Sequence, residues 1–204
     1  FRSITILGLV VMIAAAIYTA MVKLLQLNKY FLLGSIGFFV LSGFLDLLDG
    51  GVAKFTGKKT TFGGVLDSTV DRYSDGVFIL GLMAGTYLNP PFASTFTAFS
   101  WGILLGFIGI LGAYMTSYIR SRAEIEGVDM RGVGWIERGE RLSALLIGII
   151  LELIFPGYGM FYTFLVLAIL MNFTAFQRLR HAYLELKKVQ QQQQNEDLKE
   201  ENNH

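Results

Sequence analysis

Cysteine is absent from this chain. Disulfides, thiol nucleophiles, iron–sulfur clusters and cysteine-held zinc are therefore excluded. Histidine is nearly absent as well: His181 and His204 are too few for a histidine metal cluster. His181 closes the last apolar run and reads as an interfacial residue. Proline occurs only three times, as Pro90, Pro91 and Pro156, at points where a helix must end. Charge is scarce. Asp, Glu, Lys and Arg together make up 16% of the 204 residues, with a net charge of +1, and no nucleic-acid partner is expected.

What remains is apolar. The hydrophobic fraction is 53% and the mean hydropathy is +0.51. A membrane-spanning helix needs roughly 20 mostly apolar residues. Six such runs lie near 4–22, 30–54, 62–88, 96–122, 140–155 and 158–180. They do not alternate with period two, which is not the pattern of a β-barrel. The expected fold is an all-α polytopic membrane protein of six transmembrane helices with a cytoplasm-facing polar cavity. The first run is long and lacks a small-residue cleavage site before a soluble domain, so it reads as a spanning helix rather than a removable signal. The helical domain is expected over residues 1–186. Residues 187–204 are polar, with glutamine from Gln190 to Gln194, and are expected to be disordered or a fraying helix extension.

Lys and Arg fall in alternate connections. Lys54, Lys58 and Lys59 mark the end of the second run and the connection after it, Arg120, Arg122, Arg131, Arg138 and Arg141 lie around the connection between the fourth and fifth, and Arg178 and Arg180 end the sixth. The positive-inside rule places these connections and both termini in the cytoplasm. Glycine is frequent, at 23 residues. In the fourth run, Gly102, Gly106, Gly109 and Gly112 are expected to serve close helix packing.

Against this background stand four acids. Asp46, Asp49, Gly50 and Ala53 fall at i, i+3, i+4 and i+7, and Gly63, Asp67 and Asp71 at i, i+4 and i+8. Each set lines one face of a helix. Two such faces joined by a basic loop form a four-carboxylate pocket, and four acids at close range stay ionised only beside cations. Carboxylate oxygens without nitrogen or sulfur ligands favour hard cations such as Mg²⁺ or Mn²⁺. Gly50 and Gly63 share faces with the acids, where they let a ligand approach the backbone.

The segment resembles the signature of the CDP-alcohol phosphotransferase family, DxxDGxxAR-x8-GxxxDxxxD. Here it reads Asp46, Asp49, Gly50, Ala53, Lys54, Gly63, Asp67 and Asp71, with every spacing kept over 26 residues. Lys54 replaces an arginine, which keeps charge but loses bidentate phosphate contact. The resemblance implies six transmembrane helices, a homodimer, and transfer of a substituted phosphate from a CDP-linked donor to an alcohol with release of CMP. It implies that Asp46, Asp49, Asp67 and Asp71 ligate metal, two ions per site, with Asp71 as the base. It also implies that Asp46, Asp49, Gly50, Ala53, Lys54, Gly63 and Asp67 receive CDP. Two ions roughly 3.5–4 Å apart would clamp the diphosphate. Lys58 and Lys59 either meet the diphosphate or simply mark the cytoplasmic side.

Arginine gathers at three helix ends, at Arg120 and Arg122, at Arg138 and Arg141, and at Arg178 and Arg180. Glu124, Glu126, Asp129, Glu137 and Glu140 offer salt-bridge partners. The other reading is a pocket for a phosphate-bearing acceptor, which arginine suits. The stretches around Asp71–Gly76, Ser117–Glu124 and Glu137–Arg141 resemble the branch of the family that uses inositol phosphate. That resemblance carries acceptor-phosphate binding onto Arg120, Arg141 and Arg178. The lysine form of the signature resembles archaeal members, whose donor lipid is CDP-archaeol, and so implies archaetidylinositol phosphate synthesis. Phosphatidylinositol phosphate synthesis from CDP-diacylglycerol is the near alternative, and glycerol 3-phosphate, inositol or serine are other acceptors of the family. Asp75 follows Asp71 on the same face and is open to pairing with Arg72. From a different class, intramembrane acids also suit a divalent-cation transporter. Its site would sit at mid-membrane, whereas these acids cluster at helix ends.

Overall fold

The structure is a computed structural model that describes the backbone of residues 2–55 and 60–201, and the side chains of 3–48, 60–94 and 97–194. Lys58 and Lys59 lie outside the described residues, as do the side chains of Asp49, Ala53 and Lys54 and the surroundings of Gly50. Among the described residues there are six α-helices: α1 (Arg2–Leu24), α2 (Leu32–Phe55), α3 (Thr61–Ala84), α4 (Thr95–Ile125), α5 (Arg138–Ile154) and α6 (Gly159–Glu201). A single 3₁₀ turn, Lys29–Phe31, leads into α2. α6 has no break at the compositional boundary near residue 187.

Four helical segments are long and apolar enough to cross a membrane: Ser3–Leu24, Lys29–Leu48, Thr97–Ile125 and Gly159–Gln194. α3 and α5 are not among them. Both coincide with apolar runs of the sequence, but α3 carries Asp67, Asp71, Arg72 and Asp75, and α5 carries Arg138, Glu140, Arg141 and Glu152. The charges of α3 are largely groups that build the site, and α5 is also short, at 17 residues.

Local chemistry starts the helices. Thr60 caps α3, its side chain accepting from the Gly63 amide at 3.0 Å. α5 opens with a capping box in which Glu137 and Glu140 satisfy each other's backbone amides, with Glu137 N donating to Glu140 Oε2 at 2.8 Å. That box sets Arg138 and Arg141 on the first turn of α5.

α2 and α3 both pack on α1, α3 meets α4, and α6 packs on α4 and α5. The core runs through Met12, Ala15 and Ala16 of α1, Phe39 of α2, Phe78 and Leu82 of α3, and Phe164 and Met171 of α6. Small residues bring backbones together, as helix contacts in lipid require. A Cβ at Gly81 would lie 2.7 Å from the Ala16 carbonyl oxygen. Gly106, Gly109 and Gly112 leave room for Met83, Phe164 and Asn172, and Gly102 for Asn89, so the α4 glycines serve packing. Gly81→Leu is expected to lower stability in detergent by about 1–3 kcal/mol, read as a fall in melting temperature, because α1 backbone cannot yield as a side chain would. An unchanged melting temperature would remove this crossing from the account.

The connections segregate to two ends. Lys23 Nζ lies 3.8 Å from Glu152 Oε1 and 4.6 Å from the Tyr87 ring centre. Glu152 also accepts from the Gly157 and Met160 amides at 2.7 and 3.0 Å, which ties the α5–α6 turn to the ends of α1 and α3. The opposite end holds the C-terminal half of α2, the start of α3, the end of α4 and the start of α5.

Candidate active site

Helical spacing brings acids together from two elements. Asp46 on α2 and Asp67 and Asp71 on α3 each offer a carboxylate oxygen, and these oxygens lie within 4.8 Å of one another. All three side chains are half-buried. The sequence expectation of converging faces therefore holds for these three acids, while the side chain of Asp49 lies outside the described residues. An all-oxygen set of this compactness fits a hard divalent cation. Asp71 Oδ1 is buried and accepts no hydrogen bond; it faces Arg138 Nη1 at 2.9 Å as an ion pair.

Arg138 is the residue that sequence reasoning missed. Its Nη1 also donates to Asp46 Oδ2 at 2.7 Å, and its Nε lies 3.9 Å from Asp75 Oδ1. The guanidinium is a fixed positive charge among acids. The only local signal was its place on the first turn of an arginine-rich helix, and nothing in the spacing links it to Asp46.

A turn further along α3, Asp75 pairs with Arg141 rather than with Arg72. Arg141 Nη2 donates to Asp75 Oδ2 at 2.6 Å, and its Nη1 to Thr116 Oγ1 at 3.1 Å and the Ala113 carbonyl at 3.2 Å. Both side chains are nearly fully buried. The Arg72 guanidinium folds back instead onto the Ser68 carbonyl. Arg178 is also buried, with Nε donating to the Val133 carbonyl at 2.9 Å and Nη1 to the Thr116 carbonyl at 2.8 Å. Gly134, at φ +105°, lets the connection before α5 lie against Thr174 and Arg178.

These groups border one cavity of about 960 Å³. Arg120, Arg138, Arg141 and Arg178 line it with Ser117, Ser121 and Tyr114. The three arginines singled out from the sequence thus share one wall. Of the three clustered acids, Asp71 also lines this cavity. The Arg141 Nε and Arg138 Nε atoms are buried without hydrogen-bond partners.

The salt-bridge reading holds for the outer arginines. Arg120 pairs with Glu124 at 3.0 Å, Arg122 with Glu126 at 2.6 Å and Arg131 with Asp129 at 3.1 Å. The Arg131 backbone amide and side chain hold the Asp129 carboxyl below its usual range. Glu137 lies 3.8 Å from Arg178. Arg120 therefore has a partner on its own helix while it lines the cavity. Gly63 sits in the first turn of α3, where a Cβ would meet the Thr60 cap at 2.9 Å. His181 Nε2 lies 3.3 Å from the Asp129 carbonyl oxygen.

Comparison with known proteins places this arrangement among lipid phosphotransferases. The archaetidylinositol phosphate synthase of Methanothermobacter thermautotrophicus is 38% identical over 146 residues, covering 72% of this chain and 68% of that one. The phosphatidylinositol phosphate synthase of Mycobacteroides abscessus is 36% identical over 118 residues, 56% of this chain and 47% of that one, so this match spans about half of the relative. The fold is similar to the crystal structure of the Mycobacterium tuberculosis phosphatidylinositol phosphate synthase with CDP-DAG bound. The TM-score is 0.73 at 29% identity, covering 89% of this chain and 85% of that one. The structure of the same enzyme in complex with manganese and citrate matches with a TM-score of 0.72. The model of the CDP-alcohol phosphatidyltransferase family matches residues 3–176. With the signature acids of α2 and α3 inside that match, the chain belongs to the CDP-alcohol phosphatidyltransferase family and is a transferase of phospholipid biosynthesis.

Proposed function

We propose that the chain transfers the lipid phosphate group of a CDP-lipid, CDP-archaeol or CDP-diacylglycerol, to inositol phosphate and releases CMP. One observation carries this reading: Asp71 belongs both to the three-acid cluster and to the arginine-lined cavity. A group that takes a proton from an acceptor must touch both the donor's site and the acceptor's.

In this reading Asp46, Asp49, Asp67 and Asp71 hold Mg²⁺ or Mn²⁺. The cation, when bound, neutralises the diphosphate and stabilises the departing CMP. Gly50, Ala53 and Gly63 leave space for the cytidine and diphosphate, and Lys54 adds positive charge beside them. Arg141 and Arg178, with Arg120 at the rim, hold the acceptor's own phosphate. Their fixed positions turn one acceptor hydroxyl toward the lipid-linked phosphorus for in-line attack. As the new P–O bond forms, Asp71 accepts the hydroxyl proton and the bond to CMP breaks. Residues 1–186 form the catalytic unit, all six helices cross the membrane, and the polar tail 187–204 lies outside that unit. By the charge distribution the site and both termini face the cytoplasm. The homodimer is carried over from the family resemblance.

The test is an acceptor panel with purified protein, a CDP-lipid and Mg²⁺. Inositol phosphate is expected to drive CMP release well above inositol, glycerol 3-phosphate or serine. Preference for glycerol 3-phosphate would keep the family and replace the acceptor. No CMP with any acceptor, together with divalent-cation uptake into liposomes, would replace the enzyme with a transporter.

A further inference from the structure

Arg138 stands where a cation held by the acidic cluster would stand. Its Nη1 is 2.7 Å from Asp46 and 2.9 Å from Asp71, two of the three acids whose oxygens converge within 4.8 Å. A divalent cation ligated by Asp46 and Asp71 needs the same carboxylates, and at that range it repels a guanidinium. The two positive charges compete for one site.

The Arg138 backbone is fixed, because it lies within the Glu137–Glu140 capping box and precedes Arg141, which Asp75, Thr116 and Ala113 hold. Its side chain is about one quarter exposed and is the part free to move. The space beside it is the cavity it already lines with Arg141 and Arg178. Its Nε is buried without a hydrogen-bond partner, 3.9 Å from Asp75 Oδ1.

We propose that Arg138 is the internal counter-ion of the unloaded acidic site. Binding of a divalent cation turns its guanidinium toward the arginine-lined cavity, so cation and acceptor phosphate bind with positive coupling through this one side chain. Arg138 is in this sense a positioning residue. It keeps the acids together before loading and completes the anion pocket after it. The inference rests on the metal and acceptor assignments above and adds an order to them: the cation prepares the acceptor site.

The experiment needs no turnover. The full chain is titrated with Mn²⁺ in detergent without CDP-lipid, free Mn²⁺ is followed by electron paramagnetic resonance, and the titration is repeated with inositol phosphate. The wild type is expected to bind Mn²⁺ about fivefold or more tightly when inositol phosphate is present. Arg138→Ala and Arg138→Gln are expected to bind Mn²⁺ more tightly than wild type without acceptor, and to lose the coupling. Both variants should melt below wild type without Mn²⁺ and gain more from its addition, since binding to the folded state stabilises it. A purely structural arginine would give the lower melting temperature without the tighter binding. Unchanged or weaker Mn²⁺ binding in both variants, or coupling that survives in them, overturns the exchange and leaves the metal assignment standing. Wild-type binding without coupling does the same. No Mn²⁺ binding by the wild type overturns both.

Discussion

Asp71→Asn is expected to lower CMP release by roughly 10²–10⁴-fold, the range of a lost general base, while CDP-lipid binding is largely kept. The substitution conserves shape. It removes the charge that accepts the proton and weakens one cation ligand, but leaves Asp46 and Asp67 in place. The position makes the effect specific: Asp71 faces Arg138 at 2.9 Å and lines the acceptor cavity. Turnover and donor affinity should be measured separately, the first by CMP release and the second by calorimetry with a CDP-lipid. Near-normal turnover would remove Asp71 as the base. Loss of donor affinity in step with turnover would reduce its role to cation ligation.

Arg141→Ala is expected to act twice. It leaves Asp75 buried and unpaired, since both side chains of the 2.6 Å pair are nearly inaccessible; breaking such a pair costs about 3–5 kcal/mol of stability. It also removes a guanidinium from the wall of the acceptor cavity, so the KM for inositol phosphate should rise more than that for the CDP-lipid. Adding Asp75→Asn separates the two effects. The double variant should recover much of the melting temperature, because the orphaned charge is gone, yet keep the acceptor defect. Equal shifts for both substrates, cured by the second substitution, would make the pair a structural salt bridge.

The acids were legible in the sequence because their partners lie three to eight positions apart on one helix face. Periodicity puts Asp67 and Asp71 on one face of α3, and the packing of α2 brings Asp46 to them. The six apolar runs mark the six helices, although α3 carries too much charge, and α5 is too short at 17 residues, to count among the segments long and apolar enough to span. The ion pairs that organise the site were not legible. Arg138 reaches Asp46 across 92 positions and Arg141 reaches Asp75 across 66. Local spacing offered the neighbouring Arg72 as one partner for Asp75, but Arg72 turns back to Ser68 and the buried carboxylate is met from α5. The Glu137–Arg141 stretch read either as arginines with acidic partners or as part of a phosphate pocket. Its glutamates close a helix cap, and the cap aims Arg138 and Arg141 at acids on other helices. Glu152 is a similar case, caught between Lys23 and the start of α6 with no nearby residue to announce it.

The account turns on transfer to an acceptor that keeps its own phosphate. Its most direct test follows both products in one reaction with CDP-lipid, inositol phosphate and Mn²⁺: CMP in the water phase, and inositol-bound phosphate in the lipid phase. The expected result is one inositol phosphate entering lipid for each CMP released, with both lost on chelation of the metal. CMP release without incorporation would make the site a hydrolase, and incorporation of inositol in place of inositol phosphate would contradict the role of the arginine-lined cavity.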